Sequence, residues 1–180
     1  MQLKSCIRAV KYRSYKGEVG LIAENVLQRQ FKAERPNQKW VTDITEFNIR
    51  GEKLYLSPIM DLFNGEIIAF QLQRRPLFDL VKDMLSTAIS KLKPNDKPII
   101  HSDQGWQYQM RFYQQQLQQH GLIQSMSRKG NCLDNASMES FFGILKSECF
   151  YGKQFDSIEE LVKLKGLSPV QYRTQSLKAA

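Results

Sequence analysis

The 180-residue chain is 42% hydrophobic and carries 26 Lys and Arg against 18 Asp and Glu, a net charge of +8 at pH 7. That length holds one core of about 100–150 residues with a small appendage and excludes two full domains. Three scattered cysteines, Cys6, Cys132 and Cys149, lack Cys-x-x-Cys spacing, which excludes a disulfide framework and a structural zinc site; no apolar run approaches a membrane span or a signal segment, so a cytoplasmic protein without a membrane partner is expected.

The first 40 residues hold nine Lys or Arg against three Glu, the remainder seventeen against fifteen. Lys4, Arg8, Lys11, Arg13 and Lys16 suit an arm lying on phosphates or, equally, a solvated basic tail. Residues 21–31, Leu-Ile-Ala-Glu-Asn-Val-Leu-Gln-Arg-Gln-Phe, place apolar side chains near helical spacing and predict a short helix. Arg35-Pro36-Asn37 marks a linker. The chain therefore divides into an arm at 1–35, a core at 36–160 and a C-terminal segment at 161–180.

From Trp40 to Phe47 the pattern is strand-like, with Val41, Asp43, Thr45 and Phe47 on one side. A turn over 48–52 leads to a second strand at Leu54 to Phe63, and Asn64-Gly65 predicts a type I′ hairpin into a third at Glu66 to Gln73. Helical periodicity follows over 77–92. A buried-type strand at 98–103, a helix from about Gln109 to His120, a strand at Leu122 to Met126 and a helix from about Asp134 to Cys149 complete the core. Asp134 or Asn135 is available as the cap of that last helix. The order describes an α/β fold, a mixed sheet covered by helices.

Asp43 has apolar neighbours Val41 and Ile44, and Asp103 ends a strand begun by Ile99 and Ile100. An unpaired carboxylate in such a place costs several kcal/mol, and a divalent cation compensates it. Glu139, on an early turn of the last helix, can project toward the same strand ends. Mg²⁺ or Mn²⁺ suits such oxygen ligands, and three carboxylates can hold two ions about 3.5–4 Å apart for in-line displacement at phosphorus. Taken singly, Asp43 and Asp103 read as well as pairing or turn residues, and Glu139 as a solvent-facing glutamate; the ensemble carries the reading.

Lys146 lies two helical turns beyond Glu139 and either contacts DNA phosphates or solubilises the surface. Arg128 and Lys129, in a glycine-bearing loop before that helix, are phosphate candidates. Asn131, Asn135 and Ser137 offer hydrogen bonds, with capping sufficient for at least one. Trp106 and Tyr108 either stack on an unpaired base or seal the core edge. His101 is a local acid or a hydrogen-bond partner, and no proton-transfer role is assigned to it. Asp61 is a candidate accessory carboxylate.

Three segments, Trp40-Val41-Thr42-Asp43-Ile44-Thr45, His101-Ser102-Asp103-Gln104-Gly105 and Ser125 to Ala136 with Glu139-Ser140-Phe141-Phe142, together resemble the integrase core of bacterial insertion-sequence transposases of the two-reading-frame type, relatives of retroviral integrases. Thirty-five residues separate Asp103 from Glu139, the spacing that names the family's signature. The resemblance covers roughly residues 36 to 160. It implies a ribonuclease H-like fold, use of Mg²⁺ or Mn²⁺, nicking of transposon ends, and joining of the freed 3′ hydroxyl to double-stranded target DNA by a homo-oligomer holding paired ends. Carried onto this chain, it makes Asp43, Asp103 and Glu139 the catalytic metal ligands and Lys146 a DNA contact.

Two features depart from that pattern. Leu3-Lys4-Ser5-Cys6-Ile7-Arg8 looks like the tail of a helix-turn-helix region. Lys163 passes almost directly into Leu164-Lys165-Gly166-Leu167, as though part of a longer helix were absent, which would loosen the site. A metal-dependent endonuclease of the same fold and a non-catalytic DNA-binding remnant are the alternatives to a strand-transfer enzyme.

Overall fold

A computed structural model of the chain describes residues 20–129 and 132–162. Residues 1–19 of the arm expected at 1–35 and residues 163–180 of the C-terminal segment expected at 161–180 lie outside the described residues, as do Gly130 and Asn131. Six strands, β1 (Lys39–Thr42), β2 (Thr45–Ile49), β3 (Glu52–Asp61), β4 (Ile67–Gln73), β5 (Ile99–Ser102) and β6 (Ile123–Met126), form one sheet. The helices are α1 (Phe78–Ile89), α2 (Trp106–Gln109), α3 (Arg111–Gln119), α4 (Ala136–Lys146) and α5 (Ile158–Val162). This is the mixed sheet flanked by helices that the element order predicts. Among the described residues no helix is long and apolar enough to cross a membrane.

β3 is the spine of the antiparallel half. It pairs β4 on one side and both β1 and β2 on the other. Thr42 pairs Ile59 and Thr45 pairs Leu56 in one continuous register, so β1 and β2 are one strand interrupted at Asp43-Ile44. The single strand expected from Trp40 to Phe47 is therefore broken where its carboxylate sits, because the Asp43 side chain folds back onto the Ile44 N–H at 2.6 Å. β5 and β6 continue from β1 in parallel, each run entered through a helical crossover.

Period-two alternation splits the core between the two faces. Trp40, Ile59 and Ile100 meet Val81, Met84, Leu85 and Ala88 of α1 and Tyr113 and Leu117 of α3. Val41, Phe47, Leu54, Leu56 and Met60 meet Met138 and Phe142 of α4. Burying each such aliphatic side chain stabilises the fold by about 1.5–3 kcal/mol before chain entropy is set against it.

Several local expectations are corrected. No helix forms over 21–31: that stretch runs beside β6, with the Met126 N–H donating to the Glu24 carbonyl at 3.2 Å. The type I′ signature falls at Arg50-Gly51, both with positive φ (50° and 91°), and not at Asn64-Gly65, where Gly65 but not Asn64 is left-handed. Asp61 produces that difference by accepting the Phe63 N–H at 2.9 Å, while its carbonyl accepts from Gly65, which makes a longer loop. The helix expected from about Gln109 to His120 forms as α3, and the short α2, not expected, precedes it across the extended backbone of Met110. The last helix starts from a 3-10 turn over Cys132–Asn135, ends as α4 at Lys146 and continues as a π turn over Ser147–Tyr151. Neither Asp134 nor Asn135 caps it through a side chain.

Candidate active site

Two of the predicted carboxylates are brought side by side by strand register. Val41 of β1 pairs His101 of β5 in parallel. Two residues further on, Asp43 and Asp103 leave adjacent strands together, at their C-terminal ends. Each is held by the backbone just beyond it: Asp43 Oδ1 accepts from Ile44, and Asp103 Oδ1 accepts the Gly105 N–H at 2.8 Å. Gly105 is needed for this approach, because a Cβ there would stand 2.9 Å from that same carboxylate oxygen.

Burial raises both carboxyls above the usual range. For Asp43, burial and then the neighbouring Asp103 charge push the pKa up to about 7, against the Ile44 and Asn135 hydrogen bonds; Glu139 adds a weaker upward push. Asp103 is raised by burial, with the Gly105 hydrogen bond opposing. Hard oxygen donors crowded together at this electrostatic cost fit a divalent cation. An additional oxygen, Oδ1 of Asn135, is buried there without a hydrogen-bond partner.

A raised Asp pKa stabilises the fold fully below the unfolded value near 4 and loses that contribution as pH rises toward 7. In the presence of a chelator at pH 8, Asp43→Asn is therefore expected to stabilise the protein by roughly 2 kcal/mol, an advantage that disappears by about pH 4. Urea denaturation of both proteins across that range checks it, and equal stability at pH 8 would remove the electrostatic account of Asp43.

Glu139 sits on the first turn of α4 and is exposed. Among the described residues no three acidic, His or Cys side chains are close enough to hold a metal as they stand. The structure thus joins Asp43 to Asp103 and leaves Glu139 nearby, felt at Asp43 as charge. The direct link between α4 and the pair is Asn135, whose Nδ2 donates to Asp43 Oδ2 at 2.9 Å. Sequence reasoning offered capping for this residue; the bond to Asp43 spans 92 positions and has no local signal.

The basic candidates are placed differently from one another. Arg128 directs its Nε and Nη2 to the Asp134 carboxylate at 3.0 and 3.1 Å, with its side chain 60% exposed. Lys129 is exposed beside it. Lys146 is half-buried with Nζ 5.5 Å from the Phe47 ring centre. Burial lowers its pKa, while Glu46 and Asp43 pull the other way, so its charge lies toward the carboxylate end of the sheet.

His101 is fully buried, with Nδ1 2.8 Å from Ser125 Oγ and Nε2 2.9 Å from the Asp134 carbonyl. It is a strut under the site. Asp61 pairs Trp40 and caps the Asn37 and Phe63 N–H groups, so it does not join Asp43. Tyr108 is buried and forms a T-shaped pair with Tyr113, which makes it a core residue. Trp106, partly buried, opens α2. A pocket of about 170 Å³ opens on the two carboxylates, walled by Glu46, Tyr55, Pro76, Gln107 and Tyr108. Tyr55 comes from β3, Pro76 from the connection between β4 and α1, and Gln107 from α2, and no sequence motif groups them.

Comparison with known proteins matches this chain to one family. A family model described as Integrase core domain matches residues 33–132, and a second of the same description matches residues 139–163. The chain is 55% identical over 193 residues to the putative transposase InsK for insertion sequence element IS150 of Escherichia coli (strain K12), covering 98% of this chain and 68% of InsK. It is 57% identical over 192 residues to an uncharacterized transposase-like protein of Haemophilus influenzae, covering 97% of this chain and 88% of that one. The HTLV-2 integrase catalytic core domain, solved in complex with magnesium in a trimeric form, superposes with a TM-score of 0.54 at 19% identity, covering 80% of this chain and 84% of that one. The shared fold is ribonuclease H-like.

Proposed function

Because the chain belongs to the integrase-core family of insertion-sequence transposases, we propose that it is a DNA strand-transfer enzyme that nicks transposon ends and joins their 3′ hydroxyls to target DNA. The observation that carries this reading is the in-register pair Asp43 and Asp103 at neighbouring strand ends, with Glu139 on the first turn of the helix beside them. Asp43, Asp103 and Glu139 would hold Mg²⁺ or Mn²⁺, which would supply positive charge to offset theirs and that of a scissile phosphate.

The chain's own residues perform the positioning. Ile44 and Gly105 fix Oδ1 of each aspartate through backbone N–H groups, which leaves Asp103 Oδ2 and the lone pair of Asp43 Oδ2 not used by Asn135 for ligation. Glu139 completes the set by turning its exposed side chain inward from α4. Lys129 and Lys146 contact DNA phosphates on either side of it, and Arg128 does so with the donors that Asp134 leaves outward. Phosphate contacts of this kind set affinity and register without reading sequence. Two transposon ends must be processed together, so the protein works as a homo-oligomer on DNA, in the cytoplasm at the nucleoid.

The test incubates purified protein with labelled insertion-sequence ends, plasmid target and Mg²⁺ or Mn²⁺, with a chelator control. Joined products that require the metal are expected. Nicks without joining would reassign the protein as an endonuclease, and DNA binding without either product would make it a non-catalytic binder.

A further inference from the structure

The segment just ahead of the span matched by the family model is fastened to the start of the helix that carries Glu139. Leu27 is buried, and its carbonyl accepts the Gln30 N–H at 2.8 Å across a turn in which Gln28 and Arg29 have φ of 47° and 63°. Residues bearing a Cβ adopt that left-handed backbone only where their surroundings hold them there. Here the surroundings are the core under Leu27 and a buried carboxylate. Asp134 Oδ1 accepts Arg29 Nε at 2.8 Å, and Asp134 Oδ2 accepts Asn25 Nδ2 at 3.0 Å.

A second connection reaches the same residue through its main chain. The Asp134 carbonyl can only accept, so His101 Nε2 carries the proton and Nδ1 accepts from Ser125 Oγ. Ser125 Oγ in turn accepts the Leu27 N–H at 3.1 Å. Side chain and carbonyl of Asp134 are thus both tied to residues 25–29. Asn135 follows and bonds Asp43, and α4 begins at the next residue.

We propose that Arg29 and Asn25 are positioning residues for Glu139: by holding Asp134 they fix where α4 begins, so the segment ahead of the core sets where the third carboxylate stands. The inference rests on Glu139 serving the proposed reaction. Neither Arg29 nor Asn25 touches reacting atoms in this arrangement. Their effect passes through Asp134 and five residues of chain, and support of this kind decides whether a ligand set closes on its metal.

The test uses the full chain and the variants Arg29→Ala, Arg29→Lys and Asn25→Ala. Hydrogen exchange without metal is read over α4 and, as an internal reference, over α1 and β3. Arg29→Ala is expected to speed exchange in residues 136–146 roughly tenfold with α1 and β3 unchanged, and Arg29→Lys, which keeps one charged donor, to restore most of the protection. Thermal stabilisation by Mn²⁺ is then titrated, and its midpoint should rise about tenfold in Arg29→Ala and fall back in Arg29→Lys. Unchanged exchange over 136–146, or equal acceleration over α1 and β3, would overturn the proposal. Loss of α4 protection in the variants together with no Mn²⁺ stabilisation of the wild type would uphold the link to α4 and count against the metal reading, so the two failures are separable.

Discussion

Asp103→Asn is expected to lower strand transfer by about three orders of magnitude or more while leaving nonspecific DNA affinity within about twofold. The substitution keeps the side chain's size and its acceptor for the Gly105 N–H. It removes the one negative charge that stands in register with Asp43 on the adjoining strand. Asp43→Asn and Glu139→Gln are expected to behave alike, since in the proposed reaction the three carboxylates would act as one unit and their losses would not add. DNA affinity should be spared because the phosphate contacts proposed for Arg128, Lys129 and Lys146 do not use the three carboxylates. The measurement is joined-product yield against time under Mg²⁺ and Mn²⁺, beside a salt titration of DNA binding. Wild-type rates in Asp103→Asn would end the assignment of Asp103, whereas a parallel fall in DNA affinity would show that the substitution had disturbed the fold.

The aspartates were legible for a physical reason. Charged side chains among Val41, Ile44, Ile99 and Ile100 conflict with local burial, and such conflicts mark sites. Their adjacency was not legible, since it depends on β1 and β5 being parallel neighbours with Val41 opposite His101, a pairing no local pattern sets. The 21–31 segment misled because its apolar spacing is near helical, while tertiary contacts to β6 decide its path: Leu27 fills the core and Glu24 bonds Met126. Asn64-Gly65 carries a strong hairpin signal, yet the buried Asp61 redirects the loop, and the tight turn forms at Arg50-Gly51, where Arg50 tolerates a left-handed backbone. Asp134 is the largest omission. Its place before a helix suggests a cap, but its strongest partners are Arg128 and, 105 positions away, Arg29.

That omission leads to the largest expected change in stability. Asp134→Ala is expected to cost about 3 kcal/mol at pH 7, within the range found when one partner of a buried charged network is removed. The carboxylate side chain is fully buried and accepts from Asn25, Arg29, the Arg128 backbone and two nitrogens of the Arg128 guanidinium. Both arginine side chains are partly exposed, 43% for Arg29 and 60% for Arg128, so water recovers some of their loss and keeps the cost from reaching the upper limit. Asp134→Asn should cost nearly as much, since its amide hydrogens would confront arginine donors. The hydrogen bonds from Arg128, against the opposing effect of burial and with Arg29 adding, hold the Asp134 carboxyl well below the usual carboxylate range. A depressed pKa of this kind stabilises the fold above the unfolded value near 4 and loses that contribution as pH falls below it. The stability gap between wild type and Asp134→Ala in urea is therefore expected to be full at pH 7 and to narrow below pH 4. A gap under about 1 kcal/mol at pH 7, the size of a solvent-exposed ion pair, would show that Asp134 does not fasten the Glu139 helix to the rest of the protein.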